Sequence, residues 1–282
     1  CYLNTVGDSL ESIFKVYADN AQLSKWAGGI GTNWSSVRAS GSLVKRSGIK
    51  SNGVIPFLKI ANDVTVAINR SGRRRGATCV YLENWHYDYE EFLELRKNTG
   101  DERRRTHDMD TASWISDLFM KRVKEDANWT LFSPDEVPEL TETYGTIFEG
   151  HYTRYEALAE EGKIKVFKTM KARDLWRKMI TMLYETGHPW MTWKDPSNIR
   201  SPQDHVGIVH NSNLCTEICL PQDRDNIAVC NLASLNIAAH IEHNQINWGK
   251  LEESVRLAIR QRDNLIDIND LPIEEAVRSD KE

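Results

Sequence analysis

Cys1-Tyr2-Leu3-Asn4-Thr5-Val6 opens the chain with strand composition, and Gly7-Asp8-Ser9 follows as a turn that carries a helix N-cap. Beyond it Leu10, Ile13, Phe14, Tyr17, Ala21 and Leu23 recur at helical spacing up to Trp26, and the stripe stops at Ala27-Gly28-Gly29. A strand feeding directly into a helix with one apolar stripe needs a second layer to pack on, which is the unit of an α/β fold.

The same alternation continues outward from this unit. Ile30-Gly31-Thr32-Asn33 reads as a short strand, 35–53 as a long polar loop rich in Ser and Gly with Arg38, Lys45, Arg46 and Lys50, and 55–69 as a helix with Pro56 in its first turn. Strands are expected at 77–82, 129–133, 190–193 and 227–233. Helices are expected at 87–97, 112–126, 144–161, 172–186 and 248–268, and a polar loop at 194–207. This order predicts a largely parallel sheet or barrel.

Composition sets the outer bounds. The 282 residues are 40% hydrophobic and 27% charged with net charge -5, so there is no basic excess of the kind a nucleic-acid surface needs. The cluster Arg103-Arg104-Arg105 reads as a solvated loop or helix end. No run of eighteen apolar residues spans a membrane and no signal pattern opens the chain, so a cytoplasmic protein is expected. The five cysteines, at 1, 79, 215, 219 and 230, are widely spaced, unlike a disulfide framework, and are expected to be mostly reduced. A start at Cys1 and a stop amid charges at Glu282 suggest a piece of a longer protein.

The chemistry concentrates in Asn213-Leu214-Cys215-Thr216-Glu217-Ile218-Cys219. If this segment is extended, Asn213, Cys215 and Glu217 fall on one face and bring together an amide, a thiol and a carboxylate. Such a trio offers hydrogen bonds, a sulfur able to act as nucleophile or hydrogen-atom carrier, and a general base. The segment also reads as a half-buried strand with two structural cysteines. Arg70-Ser71-Gly72-Arg73-Arg74-Arg75-Gly76 is the most basic short segment; its glycines and guanidinium groups suit a polyphosphate, and it equally suits a solvated turn.

Several segments in order resemble the large, catalytic subunit of an aerobic class I ribonucleotide reductase. They are Cys1 on its strand, Gly7-Asp8-Ser9-Leu10, Ala27-Gly28-Gly29-Ile30-Gly31, Val37-Arg38-Ala39-Ser40-Gly41-Ser42, Tyr81-Leu82-Glu83-Asn84-Trp85-His86, Leu118-Phe119-Met120-Lys121-Arg122, Ser212-Asn213-Leu214-Cys215-Thr216-Glu217 and Ala228-Val229-Cys230-Asn231-Leu232-Ala233-Ser234. Leu214 and Thr216 favour class I over the cobalamin-dependent branch, which reads Asn-Pro-Cys-Gly-Glu at this point. The resemblance implies a ten-stranded α/β barrel of two five-stranded halves with a central finger loop. Residues 1–282 would supply the first half-barrel, the finger near 211–219 and the first strand and helix of the second half. The N-terminal ATP cone, the second half with its radical-relay tyrosines, and the C-terminal cysteine pair would lie outside it.

The resemblance also implies site residues. Cys215 would carry the thiyl radical, Glu217, expected to be buried, would accept the 3′-hydroxyl proton, and Asn213 would hold the sugar. Cys1 and Cys230 would be the reducing dithiol, and Gly29 and Arg74 would join the substrate contacts. Asp8, Ser9, Leu10 and Arg38 would bind a dNTP or ATP effector beside the 35–53 loop, with 70–76 linking effector to substrate and the helices 10–26 and 55–69 forming a homodimer interface. Substrates would be ribonucleoside diphosphates, the radical would come from a metal-containing small subunit, and thioredoxin or glutaredoxin would be the reductant. No metal or other cofactor bound by this chain, no membrane contact and no direct nucleic-acid binding is implied. Cys79 and Cys219 read as core cysteines, and His86, His107, His151 and His188 as structural. Two rival readings are a zinc-binding module made from Cys215, Cys219, Cys230 and His210, and a non-catalytic nucleotide-binding domain built on 70–76.

Overall fold

A computed structural model describes residues 1–26, 28–44, 48–70 and 74–281. β1 (Tyr2–Thr5) runs into α1 (Leu10–Lys25) through Ser9, whose side chain accepts a hydrogen bond from the Ser12 N–H at 3.1 Å and so satisfies one of the free donors of the helix start. After β2 (Gly29–Asn33) comes a hairpin, β3 (Ser40–Leu43) and β4 (Lys50–Asn52), and then α2 (Ile55–Ala67). A short pair, β5 (Asn69–Arg70) and β6 (Arg74–Arg75), precedes β7 (Ala77–Glu83), the one-turn helix α3 (Tyr89–Phe92), β8 (Asp110–Ile115) and α4 (Asp117–Glu125). The chain continues through β9 (Asn128–Phe132), α5 (Gly145–Glu160), β10 (Phe167–Lys171), α6 (Ala172–Thr186), β11 (Trp190–Trp193) and α7 (Lys194–Ile199). β12 (Ala228–Val229), α8 (Trp248–Ile268) and α9 (Glu274–Lys281) complete it.

The main sheet has the order β11-β8-β7-β2-β1-β12. Its first five strands are mutually parallel, and β12 joins β1 antiparallel. The expected α/β architecture with a largely parallel sheet is therefore present. One face carries the main core, where Val80 and Leu82 of β7 and Ile115 of β8 meet Ile13, Leu58, Phe119 and Met179 from the helices. The other face holds a smaller cluster of Cys79, Tyr81, Ala112, Trp114 and Val209. Side chains alternate between these two buried faces, so the central strands are covered on both sides.

Double coverage explains the largest departure from the sequence reading. The stretch 112–126 is not one helix, because its first four residues belong to β8 and the helix begins only after the Ser116 cap. A strand buried on both faces has no polar-apolar alternation to distinguish it from helix periodicity. The expected loop 35–53 contains the β3–β4 hairpin, whose base is clamped by Asp88. That carboxylate accepts from the Ser40 hydroxyl at 2.6 Å and from the Val54 N–H at 3.0 Å. Of 87–97 only Tyr89–Phe92 is helical, and of 227–233 only Ala228–Val229 is strand, paired with Leu3 and Tyr2. The strand expected at 129–133 exists but pairs with Phe167–Lys171, outside the main sheet.

The loop expected at 194–207 begins instead with α7, whose Lys194, Asp195 and Asn198 are buried. Lys194 Nζ lies 2.7 Å from Glu83 Oε2, with the two side chains 1% and 3% exposed. It also donates to the Leu140 carbonyl at 2.6 Å and sits 4.7 Å over the Phe148 ring. Asp195 accepts from the backbone N–H groups of Asp117 and Gly145, at the starts of α4 and α5. Burial pushes the Glu83 carboxyl up to about 7, against the pull of Lys194.

Removing the cation from this pair leaves a buried carboxylate without its partner. Lys194→Met is expected to cost about 3–5 kcal/mol at pH 8. An acid whose folded pKa is raised costs stability that grows as pH climbs from its unfolded range through the folded value, so the loss should shrink at pH 5, where Glu83 takes a proton. Urea melts at the two pH values check this; equal losses would contradict it.

Candidate active site

Beyond α7 the chain turns back across the inner face of the sheet. Asn198 grips it first: its Oδ1 accepts from the Val209 N–H at 2.9 Å and its Nδ2 donates to the Val209 carbonyl at 3.0 Å. Val209, His210, Asn211, Ser212 and Asn213 are then all buried. Two glycines of β2 make room for them. A Cβ at Gly31 would stand 1.9 Å from the Ser212 carbonyl oxygen, and one at Gly29 would stand 2.9 Å from the Leu214 side chain. The backbone carbonyl cannot move out of the way of a Cβ at Gly31, whereas the end of the Leu214 side chain could shift at Gly29, so it is at Gly31 that β2 must lack a side chain where this finger crosses it. Gly29, expected to touch substrate, here seats Leu214. Gly31 had no role assigned from sequence, although glycine on a strand is the usual mark of a close backbone approach.

The finger ends in a turn rather than the extended segment anticipated. Asn213 Oδ1 accepts from the backbone N–H of Glu217 at 3.1 Å and of Ile218 at 3.2 Å, while its Nδ2 donates to Glu217 Oε1 at 2.9 Å. Ser212 Oγ closes the base by donating to the Ile218 carbonyl at 2.6 Å, and Thr216 adopts a φ of 68°. Asn and Ser compete for backbone donors and acceptors in this way, which is why they bend chains. Asn213, Cys215 and Glu217 therefore do not share a strand face. Asn213 is buried and builds the turn, keeping one Nδ2 hydrogen unused, whereas Cys215 and Glu217 are exposed at its tip. The expected burial of Glu217 is not found; its carboxylate is held by Asn213 and faces out.

Cys1 and Cys230 meet in a different way. The Cys1 backbone nitrogen donates to the Cys230 carbonyl at 2.9 Å, and the Cys230 N–H donates to the Cys1 carbonyl at 3.0 Å. They are thus a directly opposed, hydrogen-bonded pair continuing the β1–β12 register of Tyr2 with Val229. Such pairs place Cα atoms about 5.5 Å apart with side chains on the same face, inside the roughly 4.4–6.8 Å span a disulfide needs. Burial, with Glu217 nearby, raises the Cys230 thiol pKa. Burial together with Glu217 and Asp110 also raises that of Cys215, so both sulfurs are held as S–H. Cys79 is buried in the inner cluster, as expected of a core cysteine, whereas Cys219 is only half-buried at the edge of that cluster.

At the far end of β1 the structure gathers Asp8, Ser9, Leu10 and Arg38. Arg38 Nε is 3.1 and 3.0 Å from the two oxygens of Asp8, its backbone N–H donates to Asp8 Oδ1 at 3.0 Å, and its Nη1 reaches the Leu43 carbonyl. Leu10 is exposed beside the capping Ser9. Within the 35–53 loop residues 45–47, and within the 70–76 loop residues 71–73, lie outside the described residues, as does the side chain of Arg74. Among the described residues no three of Cys, His, Asp or Glu gather as metal ligands. His210 is buried 3.6 Å from Glu142, and the zinc quartet of the rival reading is not assembled. Among the described residues no helix is long and apolar enough to cross a membrane.

The family model for the ribonucleotide reductase barrel domain matches residues 1–282. The chain is 60% identical over 276 residues, 98% of its length and 26% of the relative's, to the ribonucleoside-diphosphate reductase subunit alpha of Chlamydia pneumoniae. It is 50% identical over 218 residues to the subunit alpha of Helicobacter pylori (strain J99), covering 77% of this chain and 27% of that protein. With the large subunit of Variola virus the identity is 43% over 284 residues, which is 100% of this chain and 36% of the relative. The chain thus spans between about a quarter and a third of the length of these curated relatives.

Oxidation of the full-length protein should join Cys1 to Cys230, read as one linked peptide by mass spectrometry. A link from either of them to Cys79 or Cys219 would contradict the register described above.

Proposed function

The chain belongs to the ribonucleotide reductase barrel-domain family, and on that premise we propose that it forms the first half-barrel, the finger and the first strand and helix of the second half in a class I large subunit. The five parallel strands are then one half of the barrel, and β12, turning antiparallel beside β1, begins the other. The parent protein reduces ribonucleoside diphosphates to deoxyribonucleoside diphosphates. The observation that carries this reading is the exposed Cys215 on a built turn together with two cysteines opposed across β1 and β12.

The residues divide the work by their bonds. Cys215 as a thiyl radical takes the 3′ hydrogen atom, forming S–H and leaving a radical on the sugar. Glu217 takes the 3′-hydroxyl proton, since a carboxylate is an acceptor only. Its Oε1 is steadied by Asn213, and contact of the second Nδ2 hydrogen with the sugar requires the turn, which buries Asn213 in the free chain, to yield on binding. The 2′-hydroxyl departs as water with a proton from one thiol of the dithiol, the hydrogen of the other thiol goes to the 2′ carbon, and Cys1 and Cys230, having supplied two electrons, finish as a disulfide. Glu217 then returns its proton to the 3′ oxygen and Cys215 returns its hydrogen atom to the 3′ carbon. The raised thiol pKa of Cys215 serves this sequence, because the S–H form and not the thiolate is the hydrogen-atom donor at the end.

The supporting contacts extend to control and partners. Asp8, Ser9, Leu10 and Arg38 form the effector site for a dNTP or ATP, and Arg74 links it to the substrate. The exposed Leu10 and Phe14 on α1, with Ile60 and Val66 on α2, suit a homodimer interface. A small subunit supplies the radical, and thioredoxin or glutaredoxin re-reduces the disulfide, which places the enzyme in the reducing cytoplasm.

In the full-length enzyme with its small subunit and reductant, Cys215→Ser should abolish turnover while effector binding stays intact, because the hydroxyl is close in size but its O–H bond is too strong to carry the radical. Glu217→Gln should lower turnover by about a hundredfold or more, within the usual range for a lost general base. Deoxynucleotide formation at equal effector occupancy is the assay; turnover by Cys215→Ser above a trace would remove the radical role.

A further inference from the structure

The reactive turn is held from beneath by a residue that the chemistry above does not use. Tyr81, on the inner face of β7, is buried, and its hydroxyl donates to the Asn213 carbonyl at 2.6 Å. Its ring meets Trp114 edge-on at 6.1 Å, fixing the direction of the hydroxyl. Among the described residues the Asn213 carbonyl receives in addition only a long contact from the Thr216 N–H, at 3.4 Å. From Asn213 the connection continues through the side-chain amide to the Glu217 carboxylate and to the backbone of Glu217 and Ile218. On the neighbouring strand β2 and facing the same side of the sheet, Gly31 lets Ser212 and Asn213 lie against its bare Cα.

Resting on the proposed function, we infer that Tyr81 is a positioning residue that sets the height and tilt of the Cys215–Glu217 turn over the substrate, acting through the Asn213 carbonyl. A buried phenol has its pKa raised by desolvation and remains a donor at every working pH, so the support does not titrate away. Asn213 is the last buried residue of the finger before its exposed tip. Asn198 grips it at Val209, four residues before Asn213, and Cys215 and Thr216 are exposed. Loss of one short hydrogen bond at this place moves the sulfur and the carboxylate together, and displacements of about 1 Å are enough to slow a positioned reaction by roughly a hundredfold.

Tyr81→Phe in the full-length enzyme tests this, because it keeps the ring and removes only the hydroxyl. The expected result is a kcat lowered by about ten- to a hundredfold with substrate KM little changed. The pH midpoint for iodoacetamide alkylation of Cys215 should move down as the sulfur loses part of its burial and its fixed distance from Glu217, while Cys219 alkylation is unchanged. Wild-type kcat in Tyr81→Phe, with Cys215→Ser inactive, would overturn the inference and leave the proposed function standing. Activity in Cys215→Ser would overturn the proposed function and this inference with it. A lowered melting temperature with Cys215 and Cys219 both alkylated faster would show a general packing role and also overturn the inference.

Discussion

The close approach of the finger to β2 is the constraint on which the rest of this structure depends. A chain segment cannot cross the inner face of a sheet unless the strand beneath it gives up side-chain volume, and here Gly31 gives it up where the Ser212 carbonyl passes. Once the segment lies there, its polar backbone is buried and must find partners. Asn198 supplies them at Val209, Tyr81 at Asn213, and Ser212 and Asn213 close the turn themselves. The reactive tip is therefore a product of burial below it, with the exposed Cys215 and Glu217 carried on a base that has almost no freedom.

The same logic governs α7, which delivers the chain to the finger. Lys194, Asp195 and Asn198 point three ways, to Glu83 at the end of β7, to the starts of α4 and α5, and to Val209. A buried ion pair contributes little net stability compared with apolar packing, since desolvation offsets most of the attraction. Its value here is geometric: a lysine that has only Glu83, Leu140 and the Phe148 ring to turn to admits one placement of the helix. The register of the finger follows from that placement.

Much of this was legible in the residues. The β1–α1 unit, the parallel strands at β2, β7 and β11, and the helices α1, α2, α5, α6 and α8 follow from periodicity and caps, whereas the juxtaposition of Cys1 with Cys230 was suggested by the resemblance and not by any local pattern. What was not legible has a common cause in tertiary burial. β8 hides inside an apparent helix because both its faces are covered, and α7 looks like a solvated loop because Lys194 and Asp195 are charged and their buried partners lie far away in sequence. The turn at Asn213 reads as a strand by alternation, yet its side-chain amide bonds the Glu217 carboxylate and the N–H groups of Glu217 and Ile218 and folds it back. Gly31 and Tyr81 stand in quoted motifs, but nothing local shows that a distant segment presses on one and hangs from the other.

Under the proposed function the finger brings the Cys215 sulfur to the Cys1–Cys230 pair, so that three thiols from three parts of the chain share one site. A short bifunctional thiol reagent applied to the reduced full-length protein, followed by peptide mapping, measures this directly. Cross-links from Cys215 to Cys1 or Cys230 are the predicted result. Cross-links from Cys215 only to Cys219 or Cys79, with Cys1 and Cys230 joined solely to each other, would contradict it.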